Sequence, residues 1–206
     1  ELLGADDGID GLLFTGSSRT GHAIHKQFGG RPDKMLALEM GGNNPLVVNH
    51  VADIDAAVYT IIQSAFITAG QRCTCARRLV LVRSRENETL LAKLLDVTAS
   101  LRVGSGDDSF MGPVISNKAA ELVLGFEQKL LDGGGKSLLA VNRSDPDRPF
   151  LSPGIVDVTG AGNIVDEECF GPLLQVIWVD DLDAAIAVAN DTRYGLSAGI
   201  LSDDEA

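Results

Sequence analysis

The feature that most constrains this chain is an alternation of apolar runs and glycine-containing turns near its start. Residues 11–14 are an apolar run that predicts a strand, and the small residues 15–21 form a turn that leads into a helix at residues 22–28. A second apolar strand, at residues 35–39, stops at Gly41-Gly42. A strand, a helix and a strand in this order predict a βαβ unit with parallel strands.

The rest of the chain continues the alternation. Apolar runs predict strands at residues 45–49, 79–82, 173–179 and 196–201. Apolar positions near a 3.6-residue period, with the capping residues Asp53, Ser116 and Asp181, predict helices at residues 54–65, 87–101, 116–131 and 182–189. The alternation indicates an α/β fold, and we place a domain boundary at Gly41-Gly42, between residues 1–41 and residues 42–206.

Charge and cysteine content argue against several classes of partner. The chain carries 17 basic and 29 acidic side chains, a net charge of −12, which argues against nucleic acid or an anionic membrane surface. No apolar run approaches the roughly 20 residues of a membrane-spanning helix. The three cysteines, Cys73, Cys75 and Cys169, are an odd, sparse set that suits reduced thiols, so we expect a cytoplasmic protein.

The stretch with the most chemical information surrounds Cys73. A predicted helix leads into the turn Gly70-Gln71-Arg72-Cys73-Thr74-Cys75, with arginines on both sides of Cys73. Neighbouring cations favour the thiolate form of a cysteine, and the thiolate is the nucleophile. A buried structural thiol is the alternative, because free cysteine is commonly buried.

A carboxylate stands at the end of the second predicted strand. Glu39 precedes Gly41-Gly42 at a position where open α/β sheets build their sites. A partly buried carboxylate can take a proton from water. A solvated charge at the strand end is the alternative.

These segments resemble the signatures of the aldehyde dehydrogenase family. Leu38-Glu39-Met40-Gly41-Gly42 and Gly70-Gln71-Arg72-Cys73 are similar to its glutamate and cysteine motifs in order and separation. The resemblance covers essentially the whole chain. It implies a three-layer, mostly parallel catalytic domain at residues 42–206 and the tail end of a Rossmann-like cofactor domain at residues 1–41. Further matches are Phe14-Thr15-Gly16-Ser17 with Gly21, Met111-Gly112-Pro113-Val114-Ile115, Glu167-Glu168-Cys169-Phe170-Gly171-Pro172, and Asn190 with Tyr194-Gly195-Leu196.

The resemblance implies oxidation of an aldehyde to a carboxylic acid with NAD, and it does not exclude NADP. It assigns Cys73 as the nucleophile that forms a thiohemiacetal and then a thioester, and Glu39 as the base that activates the hydrolytic water. The Cys73 backbone N–H can be one oxyanion donor. A small-molecule aldehyde as substrate and a homo-oligomeric whole protein are also implied, and no metal site is expected.

The resemblance also assigns residues to the cofactor. Gly16, Ser17 and Gly21 match a strand-to-helix turn, where a hydroxyl and free helix amides can meet a phosphate. For Ser17 a plain helix cap is the alternative. Glu168 is expected to bond the nicotinamide ribose and Phe170 to pack against the nicotinamide, with core packing as the alternative for Phe170.

Three arginines lie close to Cys73. Arg78 matches a position where the family generally carries arginine, so we expect a structural role. Residues 37–45 and 69–79 are closer still to a family member that oxidises a semialdehyde with two carboxylates in arginine catabolism. Arginine forks bind carboxylates, so Arg72 or Arg77 is a candidate substrate ligand, with a salt bridge as the alternative.

Other functions stay open at this point. The aldehyde can belong to another substrate class, or Cys73 can work with a histidine in acyl transfer or thiol hydrolysis, although His22, His25 and His50 lie in no recognisable partner motif. The chain can also be a module that only folds or associates.

The sequence begins with Glu1 and ends shortly after a predicted strand, so we expect a piece of a longer protein. On that expectation the 206-residue chain alone neither binds NAD tightly nor oxidises aldehydes. Residues 1–41 are expected to be disordered, or rearranged against another chain, more readily than the rest, because a parallel edge without neighbours exposes apolar surface and unpaired backbone groups.

Overall fold

The computed structural model describes residues 8–204 in two compact units, one ending at Gly42 and the other beginning at Asn43. Residues 1–7 and 205–206, at the ends of the two predicted domains, lie outside the described residues. The assignment of these units to a cofactor domain and a catalytic domain stays a prediction.

The first unit is a βαβ unit. Its elements are β1 (Gly11–Gly16), α1 (Ser18–Phe28) and β2 (Met35–Met40), and the two strands pair in parallel with Gly11 opposite Met35. The predicted order is therefore confirmed. The helix begins at Ser18 and not at residue 22, because Ser17 caps it and accepts a hydrogen bond from the Thr20 N–H.

The second unit contains a six-stranded sheet. Five of its strands run parallel, and the short edge strand β5 pairs antiparallel with β6. The predicted α/β class with a mostly parallel sheet is confirmed. In chain order the strands are β3 (Pro45–Val48), β4 (Arg78–Val82), β5 (Lys136–Leu139), β6 (Gly154–Asp157), β7 (Leu173–Val179) and β8 (Gly199–Leu201), and across the sheet the order is β5-β6-β7-β4-β3-β8.

Four helices of the second unit begin at polar capping residues. Asp53, Ser84, Ser116 and Asp181 each accept a hydrogen bond from the backbone N–H three residues later, which satisfies a donor that the first helical turn leaves free. Three of these caps were predicted. The helices are α2 (Ile54–Phe66), α3 (Arg85–Ala99), α4 (Asn117–Asp132) and α5 (Leu182–Asn190).

Helices cover both faces of this sheet, which gives three layers. Along β3 and β4, Leu46, Val48, Leu79 and Leu81 join the large cluster that contains α2, α3 and α4, whereas Val47 and Val80 pack with Ala185 of α5. Alternate side chains of a strand point to opposite faces. Strands that are buried on both faces therefore appear in the sequence as continuous apolar runs.

Two differences from the sequence prediction concern short strands. Strands β5 and β6, of four residues each, lie in a stretch rich in glycine and polar residues and were not predicted. Strand β8 begins at Gly199 and not at residue 196, because the Ser197 N–H donates to the Asn44 side chain (3.3 Å) instead of to a neighbouring strand. Within residues 8–204, no helix has the length and apolar content needed to cross a membrane.

Asn87 offers a test of how α3 is attached to the sheet. Its buried amide donates to the carbonyls of Val48 (3.3 Å), Asn49 (2.9 Å) and Val82 (2.7 Å), which follow or end β3 and β4. Replacing Asn87 with alanine leaves these carbonyls without that donor, so we expect the free energy of unfolding to fall by about 2–3 kcal/mol. Urea unfolding followed by Trp178 fluorescence measures this loss. The control Thr89→Ala removes an exposed hydroxyl of the same helix and changes stability by less than about 0.5 kcal/mol; equal losses in both variants contradict the anchoring role.

Candidate active site

The turn that carries Cys73 is formed by an unusual backbone. After α2, the chain makes a 3₁₀ turn (Ile67–Gly70) in which Thr68 and Ala69 both have φ of 54° and Gly70 has φ of 67°. Left-handed conformations of residues other than glycine cost free energy and are concentrated at functional sites. The turn leaves the Cys73 side chain exposed, whereas Cys75, two residues later, is buried.

Asn44, which immediately precedes the neighbouring strand β3, holds this turn. Its buried amide donates to the carbonyls of Cys73 (2.7 Å) and Cys75 (2.9 Å), and its own carbonyl accepts the N–H groups of Arg77 (2.9 Å) and Arg78 (3.2 Å). No role was predicted for Asn44 from the sequence. The signal available was an asparagine between Gly41-Gly42 and an apolar strand, where a polar side chain is placed at the rim of the sheet.

Arg77 is buried, with 1% of its surface exposed. Its guanidinium donates to the carbonyls of Gly70 (2.6 Å) and Arg72 (2.9 Å), both within residues 67–75, which we call the cysteine turn. Burial lowers the pKa of this guanidinium, because removal from water disfavours the charged form. Its surroundings do not favour the substrate role considered for Arg77. Arg72, by contrast, is exposed next to Cys73.

A second segment, which precedes β7, meets the cysteine turn. The Glu168 carboxylate lies 3.9 Å from the Arg77 guanidinium, and the Phe170 ring centroid lies 5.5 Å from it. Phe170 is 47% exposed, so core packing does not account for this aromatic side chain. Between the two, Cys169 is buried, and this burial raises the pKa of its thiol to about 12.

A third segment reaches the same place through Gln71. The Gln71 side chain accepts the Ile115 N–H (2.8 Å) and donates to the Pro113 carbonyl (3.4 Å). Three of the stretches singled out in the sequence are thus brought together within the second unit. They border a cavity of about 360 Å³, whose lining includes Gln71, Ile115, Leu122, Lys129, Glu168 and Phe170.

The remaining site residues cluster in the first unit. Glu39 is exposed in β2 opposite Thr15 of β1, so it lies beside the turn that contains Gly16 and Ser17. A Cβ added to Gly21 meets the Met40 sulfur at 2.3 Å, so α1 approaches β2 as closely as glycine permits. The Ser17 hydroxyl accepts the Thr20 N–H (3.3 Å), which is the helix-cap alternative.

The other predicted residues lie outside the cysteine turn. Arg78 donates to the carbonyls of Asn43 (2.9 Å), Val188 (2.9 Å) and Ala189 (3.0 Å), in agreement with a structural role. The three histidines have exposed side chains, and no hydrogen bond found within residues 8–204 joins a histidine to Cys73. Over the same residues, no group of three or more potential metal ligands is found.

Asp166 connects the segment that precedes β7 to the residues that follow α5. Its carboxylate accepts hydrogen bonds from Asn43 (2.9 Å), from the Thr192 hydroxyl (2.8 Å) and from the Arg193 N–H (2.8 Å). Burial raises the pKa of this carboxyl, but these hydrogen bonds outweigh it and the net pKa is lowered. The carboxylate is therefore charged at neutral pH and fixes the chain between α5 and β8.

Comparison with known proteins agrees with this arrangement. All of residues 1–206 match the model of the aldehyde dehydrogenase family, and the chain belongs to that family. Within it, the chain is similar to N-succinylglutamate 5-semialdehyde dehydrogenases. It is 59% identical to the protein of Pseudomonas fluorescens over 98% of its own length and 58% identical to that of Ectopseudomonas mendocina over 99%.

A solved structure agrees as well. Glyceraldehyde-3-phosphate dehydrogenase from Methanocaldococcus jannaschii, complexed with NADP, superimposes with a TM-score of 0.87 and 32% identity over 97% of this chain and 42% of that one. The chain likewise spans 42% of the length of the two curated relatives. Family and fold are thus as the sequence motifs predicted.

The three cysteines differ in exposure, and this difference predicts how fast each one reacts in the folded chain. Iodoacetamide should label Cys73 rapidly, whereas Cys75 and Cys169 should resist because they are buried. For Cys169, the rise in thiol pKa from 9.0 to about 12 lowers the thiolate fraction about 10³-fold below that of a free thiol. Peptide mass spectrometry after timed labelling measures each rate, and labelling in 8 M urea (about the concentration that unfolds small domains) is the control in which all three should react alike. Labelling of Cys169 as fast as Cys73 contradicts the burial of Cys169.

Proposed function

We propose that these residues carry out NAD-dependent oxidation of N-succinylglutamate 5-semialdehyde to N-succinylglutamate. The single observation that carries this proposal is the exposed Cys73, held by Asn44 and Arg77 in a turn that meets the segment containing Glu168 and Phe170. Identities of 58–59% with N-succinylglutamate 5-semialdehyde dehydrogenases support the choice of substrate.

Cys73 supplies the nucleophile. Its thiolate adds to the aldehyde carbon and forms a thiohemiacetal, and the Cys73 backbone N–H is suited to stabilise the oxygen that becomes negative. Loss of a hydride from that carbon leaves a thioester on the Cys73 sulfur. The tight turn serves this step because it holds the sulfur in one position while leaving it exposed.

Glu39 supplies the base for the second step. Its carboxylate takes a proton from a water molecule, the hydroxide attacks the thioester carbon, and the carboxylic acid and the Cys73 thiolate separate. The position of Glu39 at the end of β2, opposite Thr15, supports this role, because catalytic groups of open α/β sheets lie at the carboxyl ends of strands.

A nicotinamide cofactor fits the residues at hand. When bound, it accepts the hydride of the aldehyde. In the first unit, Gly16 and the exposed Ser17 at the start of α1 are suited to a phosphate, and Gly21 allows the close packing of helix and strand that such a turn needs. In the second unit, Glu168 is suited to hold the ribose and the half-exposed Phe170 to pack against the nicotinamide ring.

Arg72 is the better of the two arginine candidates for the substrate. It is exposed next to Cys73, and a guanidinium is suited to either carboxylate of a succinylglutamate semialdehyde. We further propose that the two units are the end of a cofactor domain and a catalytic domain, and that the whole protein is a cytoplasmic homo-oligomer that acts on a small molecule.

One prediction from the proposed function concerns the nucleophile. In the natural protein that contains these residues, Cys73→Ala should abolish the formation of NADH from N-succinylglutamate 5-semialdehyde, because no other sulfur of the turn is exposed. The matched variant Cys75→Ala removes the buried sulfur two residues away and should retain most of the activity. Absorbance at 340 nm measures both rates. An active Cys73 variant together with an inactive Cys75 variant would overturn the assignment, and replacing the substrate with other aldehydes tests the substrate class.

Another prediction from the proposed function concerns the base. Glu39→Gln should preserve a first burst of NADH, because hydride loss precedes hydrolysis, and should slow steady turnover by roughly 10²–10⁴-fold, the usual size of a general-base contribution. Stopped-flow absorbance separates the two phases. The exposed Glu88 of α3, which lies outside the cavity beside Cys73, provides the control Glu88→Gln, with unchanged turnover expected. A normal steady-state rate in Glu39→Gln removes the glutamate from the mechanism.

A further inference from the structure

Arg77 contacts two loops that are distant in the sequence. On one side its guanidinium donates to the carbonyls of Gly70 and Arg72, which bracket the approach to Cys73. On the other side the same NH1 group reaches the Gly171 carbonyl at 3.4 Å. One buried cation therefore joins the turn that presents the nucleophile to the segment that precedes β7.

The second loop meets Arg77 through its side chains as well. The Glu168 carboxylate lies 3.9 Å from the guanidinium, and Phe170 presents its ring at 5.5 Å. In between, the two backbones touch, because a Cβ on Gly70 would lie 2.2 Å from the Gly171 carbonyl oxygen. A shift of either loop therefore changes the contacts of the other.

The contact set requires arginine. The planar guanidinium presents several N–H donors in fixed directions and can serve carbonyls of both loops at once, whereas a lysine ammonium is a single point of charge. A buried cation is costly unless its partners compensate for the lost water. Arg77 is 1% exposed, so the surrounding carbonyls, carboxylate and ring must supply that compensation.

We propose that Arg77 is a positioning residue that fixes the loop of Cys73 relative to the loop of Glu168 and Phe170. The proposal rests on the proposed function, which assigns Cys73 to the aldehyde and Glu168 and Phe170 to the cofactor. Arg77 touches neither ligand. It sets the distance between the two loops, and hence between the carbon that loses the hydride and the ring that receives it.

The neighbouring Arg78 provides a matched control. It is also buried and also donates to three carbonyls, but these belong to Asn43 and to the end of α5, on the other face of the sheet. A lysine at either position keeps the positive charge but removes the planar guanidinium with its several N–H donors. A general loss of packing affects both variants, whereas a loss of positioning at the cysteine turn affects Arg77→Lys alone.

Kinetics and hydrogen exchange of the natural protein together test the proposal. Arg77→Lys should lower kcat with N-succinylglutamate 5-semialdehyde by about 10–100-fold, as expected for a misplacement near 1 Å, and should raise the KM for NAD. Arg78→Lys should keep kcat within about threefold, a change of less than about 0.7 kcal/mol in the barrier, because the carbonyl partners of Arg78 do not belong to the turn of Cys73. Amide exchange of residues 70–75 and 168–173 should accelerate together by about 10-fold in Arg77→Lys, the effect of one lost hydrogen bond to a charged group.

A double-mutant cycle isolates the link. If Arg77 and Glu168 act through each other, the double variant should raise the KM for NAD by less than the product of the two fold-changes that Arg77→Lys and Glu168→Gln cause singly. Multiplicative changes, acceleration of exchange in one loop only, or equal losses of kcat in Arg77→Lys and Arg78→Lys each overturn the proposal. If Arg77→Lys does not fold, exchange in Glu168→Gln decides, because a true link requires faster exchange of residues 70–75.

The two proposals fail in different ways. An active Cys73→Ala variant sinks the proposed function, but the exchange experiment still reports whether Arg77 joins the loops. If the wild-type protein is active and the Arg77→Lys variant has a normal kcat, the positioning role is wrong and the proposed function stands.

Discussion

Burial of β4 on both faces is the constraint on which the second unit depends. Leu79 and Leu81 enter the large core while Val80 enters the smaller one, and all three are 0% exposed. A strand enclosed in this way between β3 and β7 cannot slide by one residue without exchanging its two faces. Apolar packing of β4 therefore fixes the point at which the cysteine turn enters the sheet.

The same alternation separates the two arginines at the start of β4. Since successive side chains point to opposite faces, Arg77 reaches back to the cysteine turn and Arg78 reaches to the end of α5. Asn44, on the adjacent β3 side, accepts both of their N–H groups and closes the arrangement. Asn44, Arg77 and Arg78 thus connect the rim of an apolar sheet to the loops beside it, and each of these three side chains donates to backbone carbonyls.

Much of this fold could be predicted because its elements are strongly patterned. Strand β7 and the helices capped by Asp53, Ser116 and Asp181 follow from apolar runs and capping chemistry. Strands β5 and β6 could not be found in the same way, since four residues carry too little periodicity. The sequence motifs predicted Cys73 and Glu39 as site residues, but they did not predict the hydrogen bonds by which Asn44 and Arg77 hold the turn of Cys73. The partner of Arg77 at Gly171 lies 94 positions along the chain, and only tertiary packing reveals that this arginine is not free to meet a ligand.

The burial of Cys75 and Cys169 determines which cysteine of the folded protein a peroxide oxidises first. A peroxide dissolved around the folded second unit reaches one cysteine sulfur, since the other two cysteines are shielded by packing and, at Cys169, by a thiol pKa near 12. The first product is a sulfenic acid at Cys73, which thiol reductants reverse, and further oxidation to a sulfinic acid is permanent. The sulfur proposed as the nucleophile is then also the sulfur whose irreversible oxidation would inactivate the protein.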